Sequence, residues 1–318
     1  MSTPFCYQRL RTMKMKDIQW RFNETVPEAM NGRPLKALLS NYWQLPKHLV
    51  YSIRHAERVL VDGHYQPVNF PVKAGSQVQL TFVPADFARP FPNVAADSAA
   101  TVAILYEDQN LIVMDKRRGD KTHPNQPGEV GATINHLAAY LATEKTVPYM
   151  IHRLDQETSG AIIFGKNPVV VPILVANIAN KQIKRTYLAW VEGTDIPDEG
   201  TINLPIGRDP DDKRKRKING PHAAPALTRY RVLRKQSGYA LVQISLETGR
   251  THQIRVHFAA LGHPLVGDPL YNSSNGSPFL MLHSWKVDLL MPFTKQRKLI
   301  EAPIPSHFIK FEQELSRR

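Results

Sequence analysis

Residues 151–160, IHRLDQETSG, set His152, Arg153 and Asp155 within four positions of one another, between two apolar runs. A carboxylate in a loop of small residues can serve as a nucleophile or balance positive charge developing on a substrate. The same residue types also close turns, in which Asp155, Thr158 and Ser159 would bond only local backbone. Residues 246–257, LETGRTHQIRVH, put Arg250 just ahead of an expected helix. From there its guanidinium can reach a carboxylate on a neighbouring strand or loop, and a half-buried aspartate needs such a partner. A surface pair with Glu247 is the competing reading. In residues 184–193, KRTYLAWVEG, strand alternation puts Tyr187, Ala189 and Val191 on one side. Tyr187 is then either a ring on which a base can stack or an ordinary core aromatic. His252 and His257 are five apart, not the four that aligns two zinc ligands on a helix face, so no metal site is expected.

These segments need a scaffold, and the pattern predicts α+β architecture with a mixed, mostly antiparallel sheet. AILYED and LIVMDK read as a hairpin around Gln109-Asn110, and AIIF (161–164) as a short buried strand. RTYLAWVEG, PALTRYRVLR, YALVQISLE and MLHSWKVDLL have strand composition. ATINHLAAYLA is a helix, and VVVPILVANIANK has helical length with Pro172 near its start. THQIRVHFAALG reads as a helix capped by Thr251 and stopped by Gly262, with Ile254, Phe258 and Leu261 facing the core. Upstream, PLKALLSNYW and LPKHLVYSIR have helical spacing, followed by strands VLVDGHYQPV and VQLTFVP with an Asp62-Gly63 turn. The expected organisation is an N-terminal extension (1–33), a small α+β domain (34–84), a proline-rich linker (85–100) and a main domain (101–318).

Charge limits the partners. Lys and Arg total 41 against 28 Asp and Glu, a net charge of +13. Such a chain attracts polyanions, nucleic acid first and acidic membrane second. KRKRK at 213–217 is the densest basic run and reads as a loop for phosphates or as a solvated charge run. One cysteine excludes an internal disulfide and fits a reducing compartment. No apolar stretch suits a membrane span or a secretory signal, so a cytoplasmic protein without membrane attachment is expected.

Taken together, the three segments resemble the RluA-type family of RNA pseudouridine synthases. IHRLDQETSG matches that family's signature loop HRLDxxTSG at every defining position. KRTYLAWVEG is similar to its tyrosine strand, and TGRTHQIRVHFAALGHPLVGDPLY to its arginine segment with the following G-D-x-x-Y turn. LHSWKVDL and APIPSHF resemble its closing strand and C-terminal stretch, so the resemblance spans roughly 101–308. Lys116-Arg117-Arg118-Gly119 stands where the family has lysine-proline-x-glycine, and His123-Pro124 follows as in the family. Residues 34–84 are similar to its small αL RNA-binding module, with Arg33-Pro34-Leu35-Lys36 in place of the usual opening.

The resemblance implies isomerisation of uridine to pseudouridine in structured RNA, ribosomal or transfer RNA with ribosomal favoured, by a monomer that needs no cofactor. It implies Asp155 as the catalytic carboxylate, Arg250 as its counter-charge and Tyr187 stacking on the uracil. Arg153 would fill the gap left by the flipped nucleotide. His152, Leu154, Thr158 and Ile254 would line the pocket, and Lys213, Arg214 and Lys215 would contact phosphates. A hydrolysing glycosidase would need a second carboxylate across the bond, and Glu157, beside the TSG turn, is poorly placed for that. The remaining rival is a catalytically silent RNA-binding protein of the same fold.

Overall fold

A computed structural model describes residues 18–144, 146–274 and 276–317; the first half of the expected N-terminal extension lies outside them. The small unit begins upstream of the expected boundary. Strand β1 (Trp20–Thr25) pairs antiparallel with β4 (Gln77–Phe82), and β2 (Val59–Val61) and β3 (His64–Tyr65) complete a four-stranded sheet in the order β1-β4-β2-β3. Residues 18–33, which carry no helical period, are recruited by this pairing, with Phe22 on the inner face. A helical segment α1 (Leu35–Ala37, widening to a π-turn over Leu38–Tyr42) and helix α2 (Lys47–His55) cover one face. Leu35, Leu38, Leu39, Leu49 and Ile53, all fully buried, pack there on Val59, Val78 and Leu80.

Residues 85–100 are held at both ends rather than strung loosely. Trp20 stacks edge-on against Phe87 at 5.3 Å, the Tyr149 hydroxyl donates to Pro90 O at 2.6 Å, and Asn135 Nδ2 donates to Ala95 O at 2.7 Å.

The main domain is the expected α+β type. Its elements run β5 (Ala103–Glu107), β6 (Leu111–Lys116), α3 (Thr133–Leu141), β7 (Tyr149–Met150), β8 (Ser159–Gly165), α4 (Val170–Ala179), β9 (Lys184–Glu192) and β10 (Glu199–Asn203). They continue with β11 (Ile206–Arg208), β12 (Arg216–Ile218), β13 (Leu227–Gln236), β14 (Tyr239–Leu246), α5 (Gln253–Ala260), β15 (Leu282–Leu290), β16 (Arg297–Glu301) and α6 (Ser306–Leu315). A ten-stranded sheet follows the order β10-β13-β14-β9-β15-β8-β6-β5, with β16 on β15 and β7 on β8. Every pairing is antiparallel except β15 with β8, which meet in parallel at His283–Ser159 and Ser284–Gly160. That junction explains the glycine of the TSG turn. Gly160 has φ +108°, and a Cβ there would lie 2.2 Å from Ser284 O, so no side chain fits.

Pro172 falls in the first turn of α4, where a missing N–H takes nothing from the helix. Helix α5 departs from expectation at both ends. Its cap is His252 in left-handed conformation, not Thr251, and Leu261 is 38% exposed instead of facing the core. The apolar face of α5 is used up by Ile254 and Phe258, and the chain turns away at Gly262, φ +85°. His257 is a core histidine, 2.9 Å from both Thr228 Oγ1 and Leu204 O. Among the described residues no helix is long and apolar enough to cross a membrane.

The small unit docks on the β15–β16 hairpin. Phe293, at its turn and 2% exposed, lies 5.0 Å from the ring of Phe22 and 5.7 Å from that of Trp43. The two units therefore share one apolar core.

Candidate active site

The signature loop, residues 151–158, leaves β7 and re-enters the sheet at β8, so its ends are fixed while its middle faces a cleft. Three neighbours hold it. Thr122 Oγ1 donates to Leu154 O at 2.7 Å and accepts the Leu154 N–H at 3.1 Å. Lys116 Nζ, fully buried, donates to Gln156 O at 3.0 Å, and Gly119 N–H donates to the same carbonyl at 2.9 Å. Burial pushes the Lys116 ammonium down to about 8. The 116–119 run thus grips the signature loop without the proline of the lysine-proline-x-glycine pattern. Thr158 N–H donates to Asp155 O at 3.1 Å, closing a turn that presents the Asp155 side chain.

A cavity of about 430 Å³ opens beside that side chain, within the range typical of ligand sites. His152, Arg153, Leu154, Asp155, Thr158, Tyr187, Arg250 and Ile254 all line it. Eight of the eleven residues singled out in the sequence are therefore brought together. Arg214 lines an adjoining cavity of about 550 Å³ that shares Arg153, Leu154 and Asp155 with the first. Lys213 and Lys215 line neither. Their segment forms a β11–β12 hairpin whose turn is built on Asp209 and Asp212, with Arg214 folded back on Asp212 at 2.7 Å. KRKRK is thus partly strand, not simply an open charge run.

One assignment changes. The guanidinium beside Asp155 is that of Arg255, whose Nη1 stands 3.4 Å from Asp155 Oδ2. Arg250 lines the same cavity, but its Nε donates to Pro225 O at 3.1 Å and it forms no ion pair with Asp155. The reason is helical geometry. The 248–253 turn is organised by Gln253, whose Oε1 accepts from Arg250 N–H at 3.0 Å and Thr248 Oγ1 at 2.7 Å. That turns the Arg250 side chain outward and starts α5 late, so that Arg255 points inward. Arg255 is 4% exposed and gripped by Asp268 through two bonds of 2.7 Å. Such a fork fixes a guanidinium in one plane. Asp268 Oδ1 also accepts the N–H groups of Leu270 and Tyr271, so the G-D-x-x-Y turn exists to hold Arg255.

Sequence reasoning also missed His252, whose Nε2 lies 3.9 Å from Asp155 Oδ2, and Lys181 and Arg185, which line the cavity. A charged residue between Ile254 and Val256, on a helix this short, was the available signal for Arg255. A cation among core residues requires a buried acid, and Asp268 lies thirteen residues on.

The electrostatics are lopsided. Arg153, Lys181, Arg185 and Arg250 line the cavity, and among the described residues none has a carboxylate within ion-pair distance. His152 does not add to that charge. Burial, and secondarily Arg185, hold its imidazole down to about 3, and its Nε2 accepts the Ile163 N–H at 3.2 Å. His283 is likewise held to about 4 by burial.

A stability prediction follows from these two histidines. Their folded values lie below the ordinary 6.5, so the unfolded chain takes up protons that the folded chain refuses. Their contribution is complete above pH 6.5 and declines as pH falls towards 4, at about 1.4 kcal/mol per pH unit for each. Glu24 and Asp115, whose carboxyls burial raises to about 7 and about 6, oppose this trend over the same window. The readout is therefore a difference: in urea unfolding, the stability of wild type relative to His152→Asn should decline as pH falls from 6.5 to 5. A difference that does not change with pH would contradict the neutral buried imidazole of His152.

Comparison with known proteins places this site in context. Residues 110–260 match the family model described as RNA pseudouridylate synthase, and residues 22–78 match that of the RluD ribosomal pseudouridine synthase N-terminal domain. The chain is 35% identical over 288 residues to YhcT of Bacillus subtilis, described as an uncharacterized RNA pseudouridine synthase, covering 88% of this chain and 93% of that one. It is 31% identical over 305 residues to ribosomal large subunit pseudouridine synthase D of Neisseria meningitidis serogroup A, covering 90% and 79%. Among solved structures, human RNA pseudouridylate synthase domain containing 1 superposes with a TM-score of 0.56 at 25% identity, covering 67% of this chain and 87% of that one. With the fold, the cleft and these relatives in agreement, the chain belongs to the RNA pseudouridylate synthase family and is an isomerase.

Proposed function

We propose that this enzyme converts uridine to pseudouridine in ribosomal RNA, with Asp155 acting on the sugar carbon of an everted nucleotide. The observation that carries the reading is a single carboxylate, 18% exposed at the wall of the cavity, with the clamped guanidinium of Arg255 at 3.4 Å. The isomerisation breaks the N1–C1′ bond, turns the uracil and forms a C5–C1′ bond. N1 gains a hydrogen and C5 gives up a proton, so nothing is oxidised and no group is supplied. Asp155 engages C1′ as nucleophile or as counter-charge. Arg255 holds that carboxylate in place. Tyr187 stacks on the base, and Leu154 and Ile254 confine it while it turns.

A uridine in folded RNA must leave its stack before Asp155 can reach the sugar, and Arg153, exposed on the same loop, fills the vacated position with its planar guanidinium. Lys181, Arg185, Arg250 and the hairpin cations Lys213, Arg214 and Lys215 face phosphates. Ribosomal RNA is favoured over transfer RNA because the meningococcal relative is described as acting on the large ribosomal subunit and the small domain matches that of the ribosomal RluD. A ribosome-directed activity of this kind belongs in the cytoplasm.

The test is incubation of the purified chain with transcribed ribosomal RNA, followed by pseudouridine-specific chemical mapping. New modification at discrete uridines is expected. Release of free uracil would overturn the reading in favour of a glycosidase, and modification of transfer RNA alone would overturn the choice of substrate. Affinity for the RNA should fall steeply with salt, roughly a hundredfold or more between 50 and 200 mM, as release of counterions from several phosphates requires. A salt-independent Kd would remove the role given to the cavity cations.

A further inference from the structure

The G-D-x-x-Y turn does more than clamp Arg255. Its tyrosine, Tyr271, has a hydroxyl that accepts the Arg216 backbone N–H at 2.7 Å and lies 2.8 Å from His252 Nδ1. Among the described residues that hydroxyl makes no other hydrogen bond, so its proton goes to Nδ1. The second nitrogen of His252, Nε2, then carries the ring proton and faces Asp155 Oδ2 at 3.9 Å. The opposite tautomer would aim a lone pair at the carboxylate. His252 reaches this position in a left-handed conformation, φ +58°, which residues other than glycine avoid. Tyr271 also packs beneath Arg255, with the guanidinium carbon 5.1 Å from its ring centre.

We propose that Tyr271 is a positioning residue of the active site. Its hydroxyl fixes His252 in the tautomer that offers the Nε2 proton to Asp155, and it ties that arrangement to the backbone of the basic β11–β12 hairpin. The groups facing His252 are Asp155 on the signature loop, Arg255 on α5, Asp268 and Tyr271 on the turn, and Arg216 on β12. Two consecutive hydrogen bonds therefore join the hairpin that carries Lys213, Arg214 and Lys215 to His252, whose Nε2 stands 3.9 Å from the Asp155 carboxylate. The kinetic part of the inference rests on the function proposed above, whereas the tautomer does not.

Tyr271→Phe keeps the ring under Arg255 and removes only the hydroxyl. With a structured RNA substrate, the single-turnover rate should fall about ten- to hundredfold while the Kd for RNA stays within about twofold, the scale typical of partners that fix an imidazole tautomer. In the RNA-free protein, ¹⁵N spectra should show His252 Nδ1 unprotonated in wild type and a mixture of tautomers in Tyr271→Phe. Added to His252→Leu, Tyr271→Phe should have no further kinetic effect, because the two act as one unit. A rate within twofold of wild type, an unchanged tautomer, or additive losses would each overturn the proposal. If the wild-type chain forms no pseudouridine at all, the proposed function fails, and the tautomer measurement still decides this one.

Discussion

Asp155→Asn should reduce pseudouridine formation roughly ten-thousand-fold or more, the scale seen when a nucleophilic group is removed, and leave RNA binding within about threefold. The substitution keeps size and shape, so the turn closed by Thr158 N–H and the loop held by Thr122 and Lys116 remain. What disappears is the negative charge opposite Arg255. On the proposed reading, RNA is held by the cations around the cleft, so its affinity should be indifferent to the change or slightly strengthened by loss of a repelling carboxylate. Single-turnover mapping and filter binding separate the two quantities. Residual turnover within tenfold of wild type would show that another group performs the chemistry.

The second large effect is expected at Arg255, and it has two parts. Arg255→Leu leaves Asp268, whose side chain is fully buried, without its bidentate partner. Breaking a buried pair from one side costs about 3–5 kcal/mol, visible in urea unfolding. The same substitution strips Asp155 of its counter-charge, and turnover should drop roughly a hundred- to thousandfold. The double variant Arg255→Leu with Asp268→Leu removes both buried charges, so it should recover much of the stability and none of the turnover. Arg255→Lys should fall between, because an ammonium cannot reproduce the two-pronged grip. Arg250→Ala, by contrast, should cost less than about tenfold in turnover, since its guanidinium bonds a backbone carbonyl rather than Asp155. Equal effects at 250 and 255 would undo the assignment made from the geometry.

The contrast between these two arginines shows what a sequence can and cannot convey. Strand composition is local, so β6, β8, β9, β13, β14 and β15 were all legible, as was the loop that carries Asp155. The direction of a side chain on α5 depends on where that helix begins. That is decided by Gln253 bonding across to Thr248, Leu227 and Thr228. A cap chosen at Thr251 rather than His252 was enough to exchange one arginine for another. The upstream boundary failed for a similar reason. Strand β1 exists because Phe22 finds Leu80 across the sheet and Phe293 from the main domain, and neither partner is nearby in sequence. Pairings between distant segments also built the parallel junction at Gly160, where a signature glycine turned out to serve the crossing of two strands.

The aromatic plug at Phe293 has a consequence for how long substrates are read. A tethered accessory domain searches a volume, and its help depends on tether length. Here Phe22 and Trp43 close on Phe293 from two sides, so the span between the small unit and the cleft is set by packing rather than by a tether. An RNA touching both would be measured as with calipers. Uridines would be selected by their distance from a second feature of the folded strand, and Phe293→Ala would loosen that gauge before it weakened the chemistry.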